Sequence, residues 1–145
     1  MADQATERVT IKAPADRVFA VAADIERYPE WAADIKEVVV VERDDQGRPL
    51  RASFRAAAMG HSARYTLRYD HGDAPHRLAW VLEEGDIVRR LDGAYLFEAG
   101  AGGDTEVTYH LLVEMAVPLP GFVKRRAESK IVRTALEDLR DRCEA

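Results

Sequence analysis

The chain has one cysteine, Cys143, no asparagine, and no apolar run approaching the roughly 20 residues that cross a bilayer. A lone thiol excludes an internal disulfide framework and any zinc site built from several thiolates. Acidic residues outnumber basic ones, 26 to 21, for a net charge of −5, so no general basic field invites nucleic acid or anionic lipid. Met1-Ala2-Asp3-Gln4 supplies neither the positive region nor the apolar region of a secretory signal, so a cytoplasmic location is expected. The absence of asparagine, with arginine far outnumbering lysine, fits a GC-rich bacterial genome. What is present is 145 residues, 47% hydrophobic and 32% charged, a balance that excludes both disorder and a membrane-spanning chain. That length predicts a single domain over residues 1–145.

The pattern begins with Ala5 to Ile11, which alternates as a strand does. Ala13-Pro14-Ala15-Asp16 opens a helix, with proline in the first turn and an acid at its positive end. Val18, Val21, Ala22 and Ile25 follow at helical spacing, and Asp24 is placed to cap a second short helix that Pro29 stops. The period then changes to two. The β-branched run Val38 to Val41 is closed by the turn Asp44-Asp45-Gln46-Gly47. Leu50 to Ala58, His61 to His71, the segment around Leu78, Trp80 and Leu82, Val88 to Ala99, and Thr105 to Val117 follow in succession. Short turns join them, so sequential neighbours must be antiparallel. A meander with one apolar face needs a cover. Phe122 to Ala145 provides it: Ala127, Ile131, Ala135 and Leu139 recur every four residues with Val132, Leu136 and Cys143 beside them.

Conventional catalytic signatures are missing. His61 and His71 stand about 33 Å apart along one strand, too far to share a metal. His71 and His76 flank a turn without a completing ligand set and read as solvated, so no metal site is expected. Glu83 and Glu84 are adjacent strand residues and should face opposite ways, which leaves no carboxylate pair. No serine lies in a nucleophile elbow, and Gly100-Ala101-Gly102-Gly103 precedes a strand, so it is a hairpin and not a phosphate loop. The basic run Lys124-Arg125-Arg126 is interspersed with acids further along and reads as a solvated helix face, one that allows only transient membrane contact. Strand parity puts Tyr65, Tyr69, Trp80, Tyr95 and Tyr109 on the apolar face, where each tyrosine hydroxyl needs a partner.

Ile11-Lys12-Ala13-Pro14-Ala15-Asp16-Arg17-Val18-Phe19 and Asp24-Ile25-Glu26-Arg27-Tyr28-Pro29-Glu30-Trp31 resemble the START-like (SRPBCC) superfamily. So do Leu91 to Tyr95, Gly103 to Tyr109 and the terminal helix. The specific likeness is to its bacterial polyketide cyclase/dehydrase and coenzyme-Q-binding branch, over essentially the whole chain. The resemblance implies an α+β helix-grip fold: a curved seven-stranded antiparallel sheet around a long C-terminal helix, with two short helices between strands 1 and 2. It also implies a cavity between sheet and helix that takes lipids, quinones or polyketide-like molecules in different members. Small inward residues, among them Ala52, Ala56, Ala58, Ala63, Gly93, Ala127 and Ala135, either leave such a void or let the backbones approach. Candidate ligand-binding residues are then Phe54, His61, Tyr65, Tyr69, Trp80, Tyr95, Tyr109 and Leu111 on the strands, with Ile131 and Ala135 on the helix. The expected function is binding or transport of a hydrophobic small molecule, without cofactor, nucleic acid or transmembrane segment, by a monomer or weak homodimer. An aromatase/cyclase-type enzyme, with no catalytic residue assigned, and a protein-interaction module are the alternatives.

Overall fold

The period-two segments form seven strands: β1 (Gln4–Ile11), β2 (Ile35–Arg43), β3 (Pro49–Ala58), β4 (His61–Asp70), β5 (Arg77–Gly85), β6 (Val88–Ala99) and β7 (Thr105–Met115). The computed structural model describes residues 4–58, 61–116 and 120–145, with the side chains of Ala58, His61 and Phe122 outside the described set. Strands β2 to β7 pair antiparallel with their sequential neighbours, and β1 returns to pair with β7, giving the order β1-β7-β6-β5-β4-β3-β2. The register runs Tyr95 opposite Tyr109 and Phe54 opposite Tyr65, which keeps the aromatic positions of adjacent strands on one face. The other face is charged. Glu83 is held by Arg51 at 2.6 Å and Arg68 at 3.0 Å, and Arg55 reaches Glu37 at 3.2 Å.

Three helices lie off the sheet: α1 (Ala15–Ala23), the single turn α2 (Tyr28–Trp31) and α3 (Gly121–Glu144). Pro14 sits at the N-cap of α1 with extended backbone, so the first helical residue is Ala15. Pro29 corrects the expectation that it stops a helix. It stands in the opening turn of α2, where its missing N–H is not needed, after a separate 3-10 turn over Ile25–Arg27. At 24 residues α3 is about 36 Å long, enough to cross the sheet. Its most deeply buried apolar side chains are Val132, Leu136, Leu139 and Cys143, not the Ala127–Ile131–Ala135 row. The reason is placement, because α3 packs chiefly along β1, with β7 and α1 next. Ile131 and Ala135 therefore sit on the flank that overhangs the middle of the sheet. The C-terminal end of α3 is tied down by the Lys12 amide on Glu144 at 2.9 Å and by Arg17 Nε on the Cys143 carbonyl at 3.0 Å. None of the helices among the described residues is long and apolar enough to cross a membrane.

Two further expectations are corrected by local geometry. The ladder between β4 and β5 slips between Thr66 and Leu67, pairing them with Glu84 and Leu82. The bulge at Glu83 sends both glutamates to the charged face, where period two would have separated them. His71 is not solvated: it is 8% exposed, its Nε2 lies 2.5 Å from the Pro49 carbonyl, and its ring stacks on Tyr69.

Gly93 shows which of the small inward residues makes close approach and not space. A Cβ there would lie 2.6 Å from Trp80 Cζ2 and 2.8 Å from the His110 carbonyl oxygen. The indole thus rests on bare backbone. Gly93→Ala is expected to lower stability by about 1–3 kcal/mol through overpacking. A urea titration with an unchanged midpoint would show that the indole is not fixed there.

Candidate ligand-binding cavity

The cavity follows from the offset of α3. A straight helix set over β1 leaves the middle strands of a twisted sheet without a cover, and large side chains line the gap. The space measures about 120 Å³. Its walls are Phe54 from β3, Tyr65, Leu67 and Tyr69 from β4, Trp80 from β5, Leu91 and Tyr95 from β6, and Tyr109 and Leu111 from β7. Ile131, Thr134, Ala135 and Asp138 of α3 form the roof, and Tyr28, Trp31, Ala32, Asp34 and Ile35 close one side. Nine of the ten residues singled out in the sequence thus border one cavity. The tenth, His61, has a side chain that lies outside the described residues.

The aromatic rings brace one another. Tyr95 and Tyr109 meet edge to face at 4.5 Å, and Trp80 packs on both, at 5.5 and 5.7 Å. Such pairs fix ring orientation and direct the hydroxyls. Tyr28 uses its hydroxyl to donate to the Ala22 carbonyl at 2.5 Å. The hydroxyls of Tyr65, Tyr69, Tyr95 and Tyr109 make no hydrogen bond among the described residues, and packed atoms close off none of them. Tyr69, Tyr95 and Tyr109 are nevertheless only 4%, 5% and 7% exposed. The side chains are thus buried while their hydroxyls border the open space of the cavity. A larger depression of about 530 Å³ lies on the opposite face of the sheet, over Ala79, Ala94, Val81 and Leu112 between Arg68, Asp92 and His110. It is an open trough floored by small side chains, without such a set of hydroxyls.

A sequence profile of the family described as polyketide cyclase / dehydrase and lipid transport matches residues 11–140. The chain belongs to this family. The fold of this cyclase/dehydrase-family protein is START-like. A START superfamily protein from Mycobacterium smegmatis superposes with a TM-score of 0.92 at 21% identity, over 97% of both chains. A protein of Thermus thermophilus gives 0.82 at 25% identity, again over 97% of each. An aromatase/cyclase from a Streptomyces species gives 0.71 at 18% identity, covering 96% of this chain and 87% of that one. No curated protein matches it in sequence.

Electrostatics set the chemistry this family member can do. Burial pushes the phenols of Tyr28, Tyr69, Tyr95 and Tyr109 well above the ordinary tyrosine value, and raises Tyr65 as well. Neighbouring tyrosines oppose one another's ionisation, and nearby carboxylates add to this, Asp138 at Tyr95 and Asp34 at Tyr65. The hydroxyls are therefore fixed as neutral donors, suited to hold an oxygen and unsuited to act as bases. Among the described residues no group of three His, Cys, Asp or Glu side chains is placed to hold a metal ion.

Sequence reasoning missed Tyr28, Trp31, Ala32, Asp34, Ile35, Leu67, Leu91, Thr134 and Asp138. Thr134 and Asp138 were findable, since both lie three or four residues from Ile131 or Ala135 and so share their helix face. Asp34 had no such signal, because it sits in the irregular link between α2 and β2.

Proposed function

We propose that this protein binds a small, ring-bearing hydrophobic molecule between the sheet and α3, without acting on it. The supporting observation is the set of unpartnered tyrosine hydroxyls, three of them on side chains more than nine-tenths buried, bordering a space walled mainly by apolar side chains. Volume refines the ligand class. At about 120 Å³ the cavity falls below the 300–1,000 Å³ typical of pockets for drug-sized ligands and near the size of an engineered cavity of about 150 Å³ that takes benzene. One ring with an oxygen substituent fits; a long acyl or isoprenoid chain needs the α2 side or the α3 roof to move.

A second reading, an aromatase/cyclase, is favoured by Asp138 and Tyr95 lining the same cavity, a carboxylate acceptor and a hydroxyl donor. The two readings separate on turnover, since a pure binder returns its ligand unchanged.

The test is a titration with benzyl alcohol. Tyr95→Phe and Tyr109→Phe keep the ring and remove one hydroxyl, so binding should weaken by about 0.5–1.5 kcal/mol each, the net worth of a neutral hydrogen bond. Stability without ligand should barely change or rise, because the lost hydroxyl had no protein partner. Arg64→Ala and Arg68→Ala lie on the charged face, at exposed ion pairs to Glu37 and Glu83, and should shift affinity by less than about 0.5 kcal/mol. Silence at the tyrosines with strong effects at the arginines would move the site to the other face.

A further inference from the structure

The charged residues of the cavity lining are of one sign. Asp34 and Asp138 are both half-buried and both border the cavity, and their charges oppose ionisation of Tyr65 and Tyr95 respectively. Among the described lining residues there is no Lys, Arg or His. Asp138 is anchored, accepting from the Ala33 amide at 3.0 Å. Two nearby cations are paired with acids, and Lys36 keeps its charge just outside the lining. Lys36 Nζ donates to the Ala33 carbonyl at 2.7 Å, Arg27 pairs with Asp24 at 3.1 Å, and Arg142 with Glu30 at 2.9 Å. The interior supplies tyrosine hydroxyls, which satisfy a ligand oxygen but do not neutralise an anion.

We infer that the cavity discriminates by charge: it takes a neutral or amine-bearing ring compound, its amine at the Asp34 and Asp138 carboxylates, and excludes carboxylic acids such as fatty acids. This rests on the binding reading above and specifies its ligand class. The physical reason is that a carboxylate entering the cavity loses water, meets two like charges in its lining and finds no cation among the lining residues. An ammonium in the same place exchanges its water for two opposite charges. Charged groups near a low-dielectric wall interact more strongly than in bulk water, so two half-buried carboxylates suffice for selection.

Benzyl alcohol, benzylamine and benzoate share one ring and differ in one group, which makes them a matched set for amide chemical-shift titrations at pH 7 and low salt. The wild-type protein should bind benzylamine at least about tenfold more tightly than benzoate, with benzyl alcohol between them. Asp34→Asn and Asp138→Asn should each lower that ratio by about threefold, and together bring it near unity. Asp138→Asn keeps an oxygen to accept from the Ala33 amide; Asp34→Asn touches no side-chain hydrogen bond of the described residues, so one variant folds even if the other is weakened. Benzyl alcohol bound with benzoate equal to or tighter than benzylamine would overturn the charge assignment and leave the ring-binding function standing. The same holds if the amine preference survives in both variants. Failure of all three probes would overturn the binding function and the charge assignment with it.

Discussion

Removal of residues 121–145 is expected to leave a chain that does not fold, and not a trimmed domain. Helix α3 buries Val132, Leu136 and Leu139 almost completely, and full burial of three such side chains is worth about 5–9 kcal/mol. That is comparable to the whole stability of an ordinary domain, about 5–15 kcal/mol. The loss is compounded because α3 also covers the inner side of β1 and β7, where Ile11, Val107 and Leu111 are fully or almost fully buried. The hydrogen bonds of Lys12 to Glu144 and Ala33 to Asp138 would go with it. Circular dichroism during urea titration should show no cooperative transition, and size exclusion should show expansion or aggregation. A truncated monomer with a sharp transition would contradict the packing of this helix on the sheet.

Above pH 10 the intact protein should lose stability steeply. All five tyrosines of the chain belong to the cavity cluster, and each is held above its ordinary value chiefly by burial. In the unfolded chain they ionise near pH 10, whereas in the folded protein they stay protonated. The unfolded state then binds fewer protons, so stability is complete below that pH and falls as pH rises above it. Each tyrosine contributes a loss of about 1.4 kcal/mol per pH unit, so one unit past the ordinary value removes roughly 7 kcal/mol from the five together. The readout is direct: tyrosinate absorbance near 295 nm should appear in one step with unfolding. The double variant Tyr95→Phe, Tyr109→Phe should move that step to higher pH. A gradual rise of absorbance in the still-folded protein would show that burial does not hold the phenols protonated.

Strand parity made the strand-borne part of the cavity lining legible from sequence. Once the turns at Asp44–Gly47 and Gly100–Asp104 set the strands, Phe54, Tyr65, Tyr69, Trp80, Tyr95, Tyr109 and Leu111 had to share a face, and they do. The misses share a cause. At Glu83 a single extra residue in β5 cancels the parity rule, and nothing in the residues themselves announces the bulge. His71 leaves the solvent because the Pro49 carbonyl across the sheet offers a partner, a contact 22 residues away in sequence. For α3, periodicity defined a wide stripe but not which edge meets β1. That choice decides whether Ile131 and Ala135 fill the core or border a cavity, and it is tertiary.

Intermolecular nuclear Overhauser effects between benzyl alcohol and the methyl- and ring-labelled protein locate the ligand directly. Ring protons of the probe should cross-relax with Tyr95, Tyr109, Leu111, Ile131 and Ala135, which border the inner cavity. Contacts instead to Val81, Ala94 and Leu112, on the trough across the sheet, would contradict binding between the sheet and its C-terminal helix.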